Sequence, residues 1–229
     1  MKNCFNQNLG KPDSLNLNGS GGRIHFISES QILFSVGNAE NWEGTEKNLS
    51  RNDIGRIYQI DVTNGNSQLL STGHRNPQGI CLINGNIFST EQGPDGGDEV
   101  NLINVGNDYG WPRNSYGFPY AYKRGSSFFD ANEHSIGTKP LFSWVPSVAV
   151  GDIYCEYDRK IDDYSLYIAT LKDMSLHKVK VSSDLIVRVD QRIPLGYRLR
   201  DILYIENFFV LSTDSKELIS LRKHELLID

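Results

Sequence analysis

Gly79-Ile-Cys-Leu-Ile-Asn-Gly-Asn-Ile-Phe-Ser-Thr90 carries two short apolar runs on either side of the dipeptide Asn84-Gly85. Asn-Gly accepts the left-handed backbone angles of a two-residue hairpin, so this stretch predicts a pair of antiparallel strands. The same signal stands upstream, where Gly55-Arg-Ile-Tyr-Gln-Ile-Asp-Val62 alternates apolar and polar residues and runs into Asn64-Gly65. Still earlier, residues 23–27 and 31–36 flank the turn Ser28-Glu-Ser30. Strand-like runs return at 165–171, 176–181, 185–189, 201–205, 207–213 and 217–222. No stretch before residue 217 has a four-turn helical stripe, and the tail from Lys216 to Leu227 suits a closing strand better than a helix.

These clusters recur about every 45–50 residues, a period that suits one four-stranded blade of a β-propeller. The expected fold is therefore all-β, with about four blades' worth of strands present. Residues 1–20 read as an irregular lead and residues 21–229 as one partial propeller domain. The segment around 113–140 is aromatic and turn-rich without period, and reads as a long inter-blade loop.

Composition narrows the function classes. Eleven Tyr, ten Phe and 21 Gly among 229 residues favour strands and turns. A net charge of −5 with no basic stripe argues against a nucleic-acid surface. No apolar run approaches the roughly 18 residues of a membrane span, and the start Met-Lys-Asn-Cys-Phe-Asn has no leader-like apolar core. Cys4, Cys81 and Cys155 have no metal-ligand spacing and allow at most one internal disulfide; they read as small buried hydrophobes.

The chemistry concentrates in residues 73–112. Gly73-His-Arg-Asn-Pro-Gln-Gly79, Glu91-Gln-Gly-Pro94, Gly97-Asp-Glu-Val-Asn-Leu-Ile103 and Asn107-Asp-Tyr-Gly-Trp-Pro112 place an arginine and several acids among turn-forming glycines. Together with Trp144-Val-Pro-Ser-Val-Ala149, Ala169-Thr-Leu-Lys172 and Tyr197-Arg-Leu-Arg-Asp201, this order resembles the glucose/sorbosone dehydrogenase family, the soluble aldose dehydrogenases that use pyrroloquinoline quinone (PQQ). The resemblance covers about residues 20–225. It implies a six-bladed propeller with PQQ and calcium (Ca2+) at the top of the central channel.

The resemblance also assigns roles. Arg75, Lys172, Arg198 and Arg200 occupy the positions that pair with the three carboxylates and quinone oxygens of PQQ. Each such charge-assisted bond contributes about 1.5–3 kcal/mol. Arg198 and Arg200, two apart, project to one face of a strand. Asn76 and Gln92 fit neutral hydrogen-bonding positions around the cofactor. Gly93 and Pro94 fit the positions whose carbonyls hold the cofactor's calcium, a hard cation that takes oxygen ligands. Glu99 and the carbonyl of Tyr109 match a second, structural calcium site, with a surface-carboxylate reading of Glu99 equally open. Asp98 reads as a turn-capping group, and Trp144 is the one sugar-platform candidate.

Two departures stand out. Family enzymes carry a general-base histidine four residues before the arginine of their Gly-Arg step; here Gly19 stands four before Arg23. His25 lies beyond Arg23, and His74 should point away from Arg75 on an extended segment. The aromatic residue expected three before Trp144 is Leu141. The expected reading is oxidation of an aldose at C1 to the lactone, with electrons passed to an external acceptor. The alternatives are a non-catalytic relative that keeps the pocket, and a propeller fragment acting as a binding scaffold. About two blades fewer than a family ring implies an N-terminally truncated or divergent member, or blades supplied by another chain. Family resemblance implies a periplasmic or secreted location.

Overall fold

The computed structural model describes residues 19–38, 54–118, 130–131 and 137–226. Strands follow one another as antiparallel meanders in successive sheets. The first sheet is β1 (Gly21–Phe26), β2 (Gln31–Val36), β3 (Arg56–Asp61) and β4 (Ser67–Ser71). The second is β5 (Pro77–Ile83), β6 (Asn86–Glu91), β7 (Asp98–Ile103) and β10 (Phe142–Trp144). The short strands β8 (Asn114–Ser115) and β9 (Asp130–Ala131) pair in parallel outside it. The third comprises β11 (Val150–Asp158), β12 (Asp163–Thr170), β13 (Ser175–Val181) and β14 (Val187–Pro194). The fourth holds β15 (Leu199–Ile205), β16 (Phe208–Thr213) and β17 (Leu218–Arg222), followed by one 3-10 turn at Lys223–Glu225.

Hairpin chemistry behaves as the sequence predicts. Asn84 and Gly85 take φ of 48° and 78°, the turn that joins β5 to β6. The aperiodic segment differs from expectation. The chain leaves β7 and comes back as β10 on the outer edge of the same sheet, so the excursion lies within a blade and not between blades. Its return strand is only three residues long, too short to give a readable alternation.

Alternation along the strands builds the stack. On β12, Tyr164, Leu166 and Ile168 face the second sheet and join Phe88, Val100 and Trp144 in one core. The intervening Tyr167 and Ala169 face the fourth sheet and pack with Leu199, Phe209 and Leu211. Leu33, Ile57 and Leu70 of the first sheet meet Ile80 and Ile103 of the second. Each sheet therefore buries itself against its sequence neighbour, and the leading strands β1, β5, β11 and β15 adjoin in that order. This is propeller packing, with the leading strands lining the channel.

Cys81 on β5 and Cys155 on β11 are buried as expected, but they are also bonded to each other, with Cα atoms 6.2 Å apart. The bond stitches the second and third sheets. A separation of 74 residues gives no hint of it, because only the meeting of two leading strands brings the thiols together.

Candidate functional site

The Arg75–Asn76 step is held from below by Glu91 at the end of β6. One Glu91 oxygen accepts the backbone N–H groups of Arg75 and Asn76, and the other meets His74 Nδ1 at 2.9 Å. His74 is fully buried, with Nε2 at 2.8 Å from Ser71 Oγ and its ring stacked on Tyr109. His74 thus points away from the arginine beside it. The Arg75 guanidinium donates to the carbonyls of Gln92 and Gly93, both at 2.8 Å, and lies 5.5 Å from the Trp111 ring centre. Asn76 donates to Gln92 Oε1 at 3.1 Å, and Gln92 donates onward to the Val150 carbonyl at 2.7 Å.

The Gly93 turn leaves no room for a side chain, since a Cβ there would lie 2.3 Å from the Gly96 carbonyl. Asp98 caps it as the sequence suggests, accepting Gly93 N–H at 3.0 Å. Its other oxygen accepts Ser147 Oγ–H at 2.7 Å and Ala149 N–H at 2.6 Å, tying the turn to the segment after Trp144. Burial pushes the Asp98 carboxyl above its ordinary range, partly offset by these donors. Two residues beyond Ser147's neighbour Pro146, the Val148 carbonyl accepts Lys172 N–H at 3.0 Å. Arg198 reaches the adjacent Leu171 carbonyl at 3.5 Å and binds Asp214 at 2.7 Å. Arg200 binds the second oxygen of the same carboxylate, so the two arginines do share a face. Together they hold the Asp214 carboxyl below the usual range.

A line of hydrogen bonds, the rim, thus runs from Asn76 and Gln92 through the Gly93 turn, Asp98 and residues 147–149 to the Lys172 backbone, with Arg198 touching the adjoining Leu171 carbonyl and Arg200 beside it on Asp214. Arg75 sits behind it, 8% exposed, facing backbone carbonyls. Trp144 is placed differently from a platform: it is 8% exposed and packs edge-on against Phe142 and His177. Leu141 packs against the same core.

Glu99 is buried, not a surface carboxylate, and pairs in register with Glu91 on β6 and Ser143 on β10. On the same face, Ser89 Oγ and Asn101 Oδ1 are buried without hydrogen-bond partners. A cavity of about 10 Å3 lies between Glu91, Glu99, Gly97 and Tyr109. Its lining joins the two carboxylates, oxygen donors of the kind a hard cation takes, to Arg75, and does not include Ser89 or Asn101. Among the described residues, no three His, Cys, Asp or Glu side chains form a metal-holding group. The Tyr109 hydroxyl is tied to the Leu102 carbonyl and to Asn104 N–H, which leaves its backbone carbonyl as the only donor of interest.

Gly19 has φ of 73°, a backbone that L side chains rarely adopt. His25 is turned toward β5, where its Nε2 accepts Leu82 N–H at 3.4 Å, and burial lowers its pKa. Beneath the rim, Arg23 of β1 donates to the Gln78 carbonyl at 2.7 Å and pairs with Asp201 at 2.6 Å and Asp152 at 3.4 Å.

The sequence reading did not single out Glu91, Asp152, Asp201 or Asp214. For Asp214 a signal existed: Leu199 pairs with Thr213, which sets the following aspartate opposite Arg198.

Asp152 supplies a pH prediction. Burial raises its pKa from 3.8 to about 6, with Arg23 lowering it and Asp201 raising it. The folded carboxyl binds its proton more tightly than the unfolded one. Its contribution to stability is therefore complete below the unfolded value and lost as pH rises through about 6. That loss amounts to about 3 kcal/mol, at roughly 1.4 kcal/mol per pKa unit. Asp152→Asn is expected to be more stable than the parent at pH 7 by up to this amount. The difference should vanish near pH 4, as read by urea unfolding at both values.

A family model described as glucose/sorbosone dehydrogenase matches residues 3–219. Aldose sugar dehydrogenase YliI of Escherichia coli (strain K12) is 29% identical over 205 residues, covering 80% of this chain and 53% of that protein. The crystal structure of the soluble aldose sugar dehydrogenase from Escherichia coli, in its apo form, superposes with a TM-score of 0.71 at 26% identity. That match covers 87% of this chain and 63% of the other. The PQQ-bound aldose sugar dehydrogenase from Streptomyces coelicolor superposes with a TM-score of 0.62 at 25% identity, covering 86% and 56%. The chain spans about half the length of the curated relatives it matches over most of its own length.

Proposed function

Because the chain belongs to the glucose/sorbosone dehydrogenase family, we propose that it serves a PQQ- and calcium-dependent oxidation of an aldose at C1 to the lactone. The observation that supports this reading is the line of hydrogen bonds from Asn76, Gln92 and the Gly93 turn to the Lys172 backbone and the Leu171 carbonyl that Arg198 touches. When bound, PQQ supplies a quinone that accepts a hydride. Lys172, Arg198 and Arg200 hold its carboxylates and quinone oxygens, and Arg198 and Arg200 reach it already oriented by Asp214. Arg75 acts from behind by fixing the Gln92 and Gly93 carbonyls. Asn76 and Gln92, locked to each other, present fixed amide dipoles.

The carbonyls of Gly93 and Pro94 would hold the cofactor's calcium, with the Gly93 oxygen shared with Arg75, and Glu99 with the Tyr109 carbonyl would hold a second one beside the small cavity they line. An aldose is the substrate and an external acceptor takes the electrons. A periplasmic or secreted location is supported by the Cys81–Cys155 bond, which persists in oxidising compartments.

One observation favours a second reading, a relative that keeps the pocket without turnover. Gly19 stands at the general-base position with a left-handed backbone that costs a histidine about 1–2 kcal/mol. Titrating the protein with PQQ and calcium, followed by glucose-dependent dye reduction, decides between them. Saturable binding with turnover supports the dehydrogenase; binding without turnover supports the relative; no binding overturns both and leaves a scaffold. Gly19→His is expected not to restore a full family-like rate, and a robust gain of dye reduction would refute that.

A further inference from the structure

We infer that Arg23 is a positioning residue that sets the span of the channel mouth by joining the leading strands of all four sheets. It springs from β1, and its three partners are the Gln78 carbonyl on β5, Asp152 on β11 and Asp201 on β15. Sheets otherwise pack on their sequence neighbours, so Arg23–Asp201 links the first sheet to the fourth across the channel.

Each partner is also a short step from a rim residue. The Gln78 side chain donates to Asn76 Oδ1 at 2.7 Å, and the same oxygen accepts Gly21 N–H at 3.1 Å, two residues before Arg23. Asp152 follows Val150, whose carbonyl holds Gln92. Asp201 follows Arg200. One guanidinium thereby fixes the distance between the wall carrying Asn76 and Gln92 and the wall carrying Arg198 and Arg200. A planar fork of five N–H donors serves a carbonyl and two carboxylates at once; a single ammonium holds such separated acceptors less firmly.

The competing account is that Arg23 merely neutralises two carboxylates. The combined variant Arg23→Met/Asp152→Asn/Asp201→Asn separates the two, because it removes the fork without leaving an unbalanced charge. Spin labels at Val62→Cys, exposed in the turn that joins β3 to β4, and Leu218→Cys, exposed on β17, in a Cys4→Ser background report the span between the first and fourth sheets. The parent should give one narrow distance distribution. The triple variant should give a broadened or shifted one while its unfolding midpoint stays within about 4 °C of the Asp152→Asn single variant. Its affinity for PQQ in the presence of calcium should fall at least about tenfold, the loss of roughly one charge-assisted bond. Arg23→Lys should fall between, and it carries the test alone if the triple variant does not fold.

An unchanged distance distribution overturns the inference, as does a changed distribution with parental PQQ affinity. The affinity arm rests on the cofactor reading proposed above. If the parent itself binds no PQQ, that reading fails and the distance measurement still decides the role of Arg23.

Discussion

Arg200→Ala is expected to weaken PQQ binding at least about 100-fold, measured by quenching of intrinsic fluorescence at saturating calcium. Two effects add. The variant loses a charge-assisted contact of about 1.5–3 kcal/mol. It also strips one cation from Asp214, which Arg200 and Arg198 now share through its two oxygens. A carboxylate left with half its partners would face the incoming tricarboxylate and repel it. Lys172→Ala should cost less, about tenfold or somewhat more, because its ammonium makes no ion pair among the described residues and its removal exposes no partner. Arg188→Ala, on the exposed strand β14, should leave affinity unchanged and serves as the control. If both Arg200→Ala and Lys172→Ala bind like the parent, the rim is not the cofactor site.

Opening the Cys81–Cys155 bond should have the largest effect on stability. Closing a loop of 74 residues removes unfolded-chain entropy worth about 4 kcal/mol in the chain-entropy account. For a protein of this size that corresponds to a fall of about 10 °C in unfolding midpoint for Cys81→Ala/Cys155→Ala. The loss should be matched by reducing the parent with a dithiol and should be absent when the double variant is reduced. The bond sits in the joint where Thr90 donates to the Gly151 carbonyl at 2.6 Å and Gln92 to that of Val150 at 2.7 Å. Cofactor affinity should therefore weaken along with stability. A double variant with the parental midpoint would show that the thiols are not joined in the working protein.

Much of the fold was legible because its signals are local. Asn84-Gly85 dictates its hairpin by backbone preference alone. At Asn64-Gly65 only Gly65 takes a positive φ, and the Asp61 carboxylate closes a longer turn by accepting Thr63 N–H and Asn64 Nδ2–H. The alternation of Gly55–Val62 needs no partner to be recognised. Strands β4 and β7 escaped notice, and the longest strand to do so is β11. Its run is broken early by Gly151 and Asp152 and later by Glu156, polar residues that make sense only at the channel and at the Lys223 contact. The return of β10 to the second sheet was hidden for a different reason, since three residues cannot announce which edge they will join.

At the site, residue types were readable and orientations were not. Arg198 and Arg200 fell on one face as a two-residue spacing requires. Arg75, at a bend just before β5, turned to the carbonyls of Gln92 and Gly93, 17 and 18 residues downstream. The groups that hold these side chains in place, Glu91, Asp98 and Arg23, reach partners between 15 and 178 residues away (Arg23 to Asp201, 201−23), where pattern carries no information.

Neighbour-only stacking gives the molecule the thermodynamics of a short array, in which each unit's order depends on the units flanking it. Among the described residues the second and third sheets are each flanked on both sides, so local opening of either disturbs two interfaces at once. That central pair shares both a covalent tie and the apolar cluster around Phe88, Val100 and Leu166, so its local opening costs the most of any joint described.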